Sequence, residues 1–141
     1  MCQPPLIVSI LIRGFANPYE QIVKFLGKQP DRVGKKGSIV RPGFPAILSQ
    51  DFIRYDFNYS DSEPWDSAVS NAISQLGGAE LIQELNSAFK PNSIELDLVI
   101  SREQEYHQVG TFFSKELVRD IQLLGASVSF SFVEPSTIQP K

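Results

Sequence analysis

One histidine, one cysteine and a scatter of carboxylates limit the covalent chemistry open to this chain of 141 residues. His107, the single imidazole, alternates with Glu103 and Glu105, which sets one imidazole and two carboxylates on the same side of an extended segment. Those donor types suit a divalent metal. The same residues also make an ordinary solvated turn, and the reading adopted is no metal site and no cofactor. Nucleophilic catalysis needs a serine or cysteine whose proton goes to a base held by hydrogen bonding. His107 is the one candidate base, and Cys2 lies too near the terminus to be positioned. Asp56 and Asp97 occupy polar positions in two alternating segments, where two carboxylates could share a sheet face and exchange protons. Carboxylates on a wet strand face are ordinarily just solvated, so the chain is read as lacking catalytic residues and not as an enzyme.

Lys35, Lys36 and Ser38 invite comparison with a phosphate-binding loop, which needs Gly, four residues, then Gly-Lys-Ser/Thr between a strand and a helix. The spacing fails, because six residues separate Gly27 from Gly34 and the segment leaves a helix instead of opening one. What remains is a charge anomaly. Lys28, Arg32, Lys35, Lys36 and Arg41 against Asp31 give this loop a net charge of +4, inside a chain of net charge −3. Loops carry binding function more often than the elements they join. Arg32, Lys35, Lys36, Arg41 and Phe44 are therefore the first candidate partner-binding set, Arg41 with Phe44 having the composition of an interface hot spot.

A second candidate has the opposite sign. Asp51, Asp56, Asp61, Glu63 and Asp66 against Arg54 give −4, and Asp56, Asp61, Glu63 and Asp66 form the alternative partner-binding set. Complementary charge of this kind raises association rate and specificity. Trp65, in contrast, is assigned to packing on the helix that follows it. An acidic balance argues against nucleic acid as a partner, since such proteins show a basic domain or face.

The elements that must position these groups follow from periodicity. Leu6–Ile12 is apolar on both faces and suits a central strand covered on both sides. Asn17 and Pro18 open a helix carrying Tyr19, Ile22, Val23 and Leu26, and Gly27 ends it. Gly27–Pro45 is read as loop, and Phe52–Tyr59 as a strand with Arg54, Asp56 and Asn58 on its wet side. Ala68–Leu76 and Leu81–Phe89 are two short helices split by Gly77-Gly78. Ile94–Ile100 is a strand, Ser101–Gln108 a turn, and Val109–Phe113 the returning arm of a hairpin. Ser114 caps a last helix with Leu117, Val118, Ile121 and Leu124 inward, and Gly125 ends it. Ser127–Val133 follows, with Val128, Phe130 and Phe132 buried. The expectation is one domain over residues 1–141, with a core at 6–133 and a loose tail at 134–141. Its class is α+β: two strand-helix-strand units in a mixed or antiparallel sheet, helices on one face as in a ferredoxin-like sandwich, and an extra helical pair between them.

The start of the chain has no positive n-region, and the longest apolar run is too short to span a bilayer. With a single cysteine there is no disulfide framework. A cytoplasmic protein without membrane partners is expected.

Asn17-Pro18, Gly27-Lys28-Gln29-Pro30-Asp31 and Lys36-Gly37 resemble a bacterial family known as domain of unknown function 4279. The similarity returns at Phe112-Phe113-Ser114, Glu116-Leu117-Val118 and Leu123-Leu124-Gly125-Ala126, and extends over Leu6–Val133. The resemblance implies no catalytic residues. Small, acidic, cysteine-poor members of this kind look like immunity proteins, which implies binding to a cognate protein toxin. The alternative from another class is a regulatory domain that binds a small ligand or phosphate through the basic loop at 28–41.

Overall fold

Leu6, Val8, Ile10 and Ile12 are completely buried. They alternate along β1 (Leu6–Arg13), the middle strand of a five-stranded sheet. The computed structural model describes residues 6–39, 43, 46–60, 62–101 and 112–133. β1 pairs antiparallel with β3 (Phe52–Tyr59) on one side and with β4 (Ser93–Ser101) on the other. β2 (Arg32–Gly34) adds antiparallel to β3, and β5 (Ala126–Val133) adds parallel to β4, for the order β2-β3-β1-β4-β5.

Among the described residues four helices cover one face of this sheet: α1 (Tyr19–Leu26), α2 (Trp65–Gln75), α3 (Ala79–Phe89) and α4 (Lys115–Leu124). α3 packs between α1 and α4, while α2 touches α4 and β1. Their apolar stripes meet the inward residues of the strands in one core, with Ile22, Ala68, Val69, Ala72, Ile82, Leu85 and Leu124 fully buried. The expected α+β class holds, with a mixed sheet, helices on one side, and the α2–α3 pair between the two strand-helix-strand units.

The first unit closes with a different strand from the one expected. β1 and β2 are both antiparallel to β3 and so parallel to each other, with β3 inserted between them. This is a split βαβ crossover, and its second strand lies inside the segment read as basic loop. Three residues ending in glycine carry too little alternation to announce a strand. Beyond β2, residues 37–39 pair with residues 47 and 48: Gly37 donates to Leu48 O at 2.9 Å, Leu48 donates to Ser38 O at 2.8 Å, and Ile39 bridges Ile47.

Local signals fare unevenly. Gly27 and Gly125 end α1 and α4 in the left-handed region at φ 73° and 69°, as glycine permits. Gly77 and Gly78, at φ 116° and 97°, separate α2 from α3. Ser114 caps α4 by accepting from Leu117 N at 3.1 Å. Asn17 does not cap α1; Pro18 takes that position with no side-chain acceptor, and the Asn17 amide donates to Gln21 Oε1 at 3.2 Å. β1 is central, but one of its faces has no covering layer among the described residues, and Ile7 and Leu11 are only half-buried there. Val118, Phe130 and Phe132, expected inside, are 52%, 47% and 48% exposed. β5 is the outermost strand on that side, and helix cover thins toward the edge. The turn at 102–108, the arm at 109–111 and the tail at 134–141 lie outside the described residues; Phe112 and Phe113, the end of that arm, are not strand.

Ser114→Ala should lower stability by about 1 kcal/mol, the usual cost of losing a cap. Asn17→Ala should change it by no more than about 0.5 kcal/mol, as at an ordinary surface site. Urea unfolding of the two variants separates them, and equal losses would contradict the capping assignment.

Candidate binding surface

The face of the sheet that no described helix covers, the open face, collects the odd-numbered residues of β1, β4 and β5 and the even-numbered ones of β2 and β3. Register sets them in rows across the strands. One row runs Arg32, Arg54, Leu11, Glu95, Ser127. The next runs Asp56, Ser9, Asp97, Ser129. Gly34, Phe52, Arg13 and Ser93 flank the first row, and Asn58, Ile7, Val99 and Ser131 flank the second. Period-two alternation therefore places three arginines and three carboxylates on one surface.

Five of these six charges are held by hydrogen bonds. Arg54 Nε donates to Asp56 Oδ1 at 2.8 Å, and Ser9 Oγ donates to the same oxygen at 2.6 Å. Ser9 is completely buried beneath this pair. Arg13 Nε donates to Glu95 Oε2 at 3.1 Å, which also accepts from Ser93 at 3.2 Å. Asp97 Oδ1 accepts from Ser129 at 3.0 Å and Ser131 at 3.2 Å. Arg32 has no carboxylate within ion-pair reach among the described residues. Its guanidinium lies over the Phe52 ring at 5.9 Å, with that of Arg13 at 5.8 Å from the same ring. Phe52 in turn lies across Gly34, where any Cβ would collide with its ring.

The basic loop is not one patch. Alternation along β2 puts Arg32 on the open face, whereas Lys35 Nζ sits over the Tyr19 ring at 5.7 Å on the helix side. Lys28 Nζ lies 5.7 Å from the Phe57 ring, also on that side. Lys36 is anchored through its backbone N–H, which donates to Asp51 Oδ1 at 2.6 Å. Arg41 and Phe44 lie outside the described residues. Near Lys35 the surface has a cleft of about 110 Å³, lined by Pro18, Tyr19, Glu20, Gly34 and Asp51 as well. That is far below the roughly 300 to 1,000 Å³ of small-molecule sites, whereas an open cleft of about 520 Å³ on the other side of Tyr19 and Glu20, lined also by Val23, Lys24 and Lys28, falls within that range.

Nor is the acidic stretch one patch. Asp56 is on the open face, while Asp66 at the start of α2 accepts from Ser114 N at 2.7 Å and ties two helices together. Glu63 is half-buried in the turn before α2, and Asp61 lies outside the described residues. His107, Glu103 and Glu105 lie outside them too. Asp56 and Asp97 do share a face, each paired across a strand with Ser9. Sequence reasoning passed over Arg13, Ser9, Glu95, Ser129 and Ser131 as members of a surface. The signal that could have found them was the polar half of each alternating segment, read jointly instead of strand by strand.

Tyr55 fastens the loop to the sheet. Its buried hydroxyl donates to Lys28 O at 2.7 Å. Burial, with the negative charge of Asp31 second, pushes its phenol up to about 12. Burial and then Glu63 push Tyr59 up to about 12 as well.

Residues 4–133 match a family model described as Domain of unknown function (DUF4279). Neither the curated proteins nor the solved structures contain a match to this chain.

Asp56→Ala strands a buried hydroxyl and a guanidinium, and should cost about 1 to 3 kcal/mol. Asp97→Ala releases two serines near solvent and should stay within about 0.5 kcal/mol. Urea melts of both variants test this; equal losses would refute the Ser9–Arg54–Asp56 assignment. The tyrosines predict an alkaline signature. Both phenols hold their protons more tightly folded than unfolded, so their contribution is complete below pH 10 and is lost as pH rises toward 12. Tyr55→Phe should lower stability at neutral pH yet decline less steeply than wild type between pH 10 and 12, read by denaturant titration at each pH.

Proposed function

We propose that this chain, which belongs to the DUF4279 family, is a noncatalytic protein-binding domain that recognises its partner through the open face of its sheet. The finer reading is an immunity protein that neutralises a cognate toxin by direct binding. The observation that carries the proposal is the state of the charges on that face. Five of its six charged side chains are fixed by hydrogen bonds, and the sixth, Arg32, is stacked on an aromatic ring.

Side chains ordered before binding lose little further freedom on complex formation. Fixed charges of both signs give a partner a pattern to match and speed its approach. Chemistry would need something else, namely a base or nucleophile with spare hydrogen-bonding capacity aimed at a substrate. Here each carboxylate already accepts from its neighbours. The rival reading, a phosphate or small-ligand site on the basic loop, draws less support, because Lys28 and Lys35 point to one side of the sheet and Arg32 to the other. The proposed setting is the cytoplasm. Among the described residues no helix is long and apolar enough to cross a membrane.

Co-expression with the product of the neighbouring gene should yield a complex. Arg32→Glu combined with Asp97→Lys should weaken it at least roughly tenfold, equivalent to about 1.4 kcal/mol. Lys24→Glu, on α1 and away from this face, should leave affinity unchanged. Undiminished binding by the double variant, measured by calorimetry, would reject the open face as the recognition surface.

A further inference from the structure

The two edges of the sheet meet solvent in different ways. At one edge β2 is three residues long, carries Arg32 and has the Phe52 ring laid across Gly34. Shortness, charge and cover are the devices that keep an edge strand from pairing with another chain. At the other edge β5 runs for eight residues in unbroken register with β4. Ala126–Val133 contains no charged residue, no proline and no glycine. Among the described residues nothing pairs with its outer side. The alternate N–H and C=O groups on that side are strong hydrogen-bonding groups open to a further strand.

Side chains sharpen the contrast. Phe130 and Phe132 are 47% and 48% exposed on the helix side of β5. Phe130 lies 5.8 Å from the Trp65 ring and 6.2 Å from the Phe113 ring, so the exposed edge continues an ordered aromatic stack. Phe112 and Val118 are exposed as well.

We propose that β5 is the interface of a homodimer, pairing antiparallel with β5 of a second copy across a two-fold axis normal to the sheet. The pattern of the strand favours its own copy over a different partner. With the axis at Phe130, that residue faces its counterpart, Phe132 faces Val128 of the second copy, and Ser129 faces Ser131. Apolar residues then meet apolar ones and serines meet serines, the self-complementarity an isologous interface requires. A partner chosen by charge would find none on this strand. α4, which packs on β5, carries Lys115, Glu116, Arg119 and Asp120, two charges of each sign, so two copies do not repel there. Such an axis keeps both helix layers on one side and both open faces on the other. The dimer thus presents two copies of the charged face in one plane, a bivalent arrangement.

The full-length protein tested by light scattering and sedimentation velocity, from micromolar to millimolar concentration, should show a reversible monomer–dimer equilibrium. Phe132→Lys and, separately, Ser129→Lys should each shift it to monomer with unchanged circular dichroism, since the first sets a charge against the apolar Val128 of the second copy and the second brings two like charges together on the diagonal across the axis. Arg32→Glu, at the opposite edge, should remain dimeric. A wild-type protein monomeric throughout, or a dimer that survives both β5 substitutions, would overturn the proposal. So would a dimer broken by Arg32→Glu.

Discussion

Burial of one face of β1 is the constraint on which the rest of this structure depends. The strand is paired along its length on both sides, so its position is fixed in two directions at once. Leu6, Val8, Ile10 and Ile12 can be removed from water only if the helices lie on their side. A slip of one residue would exchange them for Ile7, Ser9, Leu11 and Arg13. Because β3 and β4 inherit their register from β1, the same choice sends Tyr55 and Leu96 inward and Arg54, Asp56, Glu95 and Asp97 outward. The helix layer and the charged face are two results of one register.

Much of this was legible in the sequence, and the gaps have physical reasons. Alternation in Phe52–Tyr59 and Ile94–Ile100 gave the correct faces, since period two survives wherever only one face is buried. Glycines at 27, 77, 78 and 125 marked helix ends through the left-handed conformations they adopt. Capping was half right: Ser114 has its acceptor in place, while Asn17 yields to Pro18, whose fixed φ already suits the start of a helix. β2 escaped because three residues ending in a glycine carry almost no periodic signal. Phe130 and Phe132 were placed inside because alternation reports which face a residue points to. It does not report whether anything covers that face at an edge.

The candidate site was harder to read, for a reason that concerns distance along the chain. Charge runs were taken as patches, yet a strand throws successive residues to opposite faces, and a run through a strand is divided by construction. Arg32 and Lys35 are separated in this way. So are Asp56 on the sheet and Asp66 on a helix. The groups that do converge, Ser9 with Arg54 and Asp56, or Asp97 with Ser129 and Ser131, are brought together by pairing between strands remote in sequence.

Arg32 and Arg54 stand directly opposite each other across β2 and β3, a like-charge juxtaposition that disfavours pairing. The structure offsets it twice. Asp56 compensates Arg54 at 2.8 Å, and the Phe52 ring receives Arg32. Neither device cancels the positive charge of Arg32 itself, which stays exposed beside a face whose other two arginines are each paired with a carboxylate. A partner that brings a carboxylate to Arg32 would relieve the remaining repulsion, and would do so without disturbing the pairs that hold Ser9. The proposed recognition surface and the strain within the β2–β3 edge are therefore the same feature, seen with and without its partner.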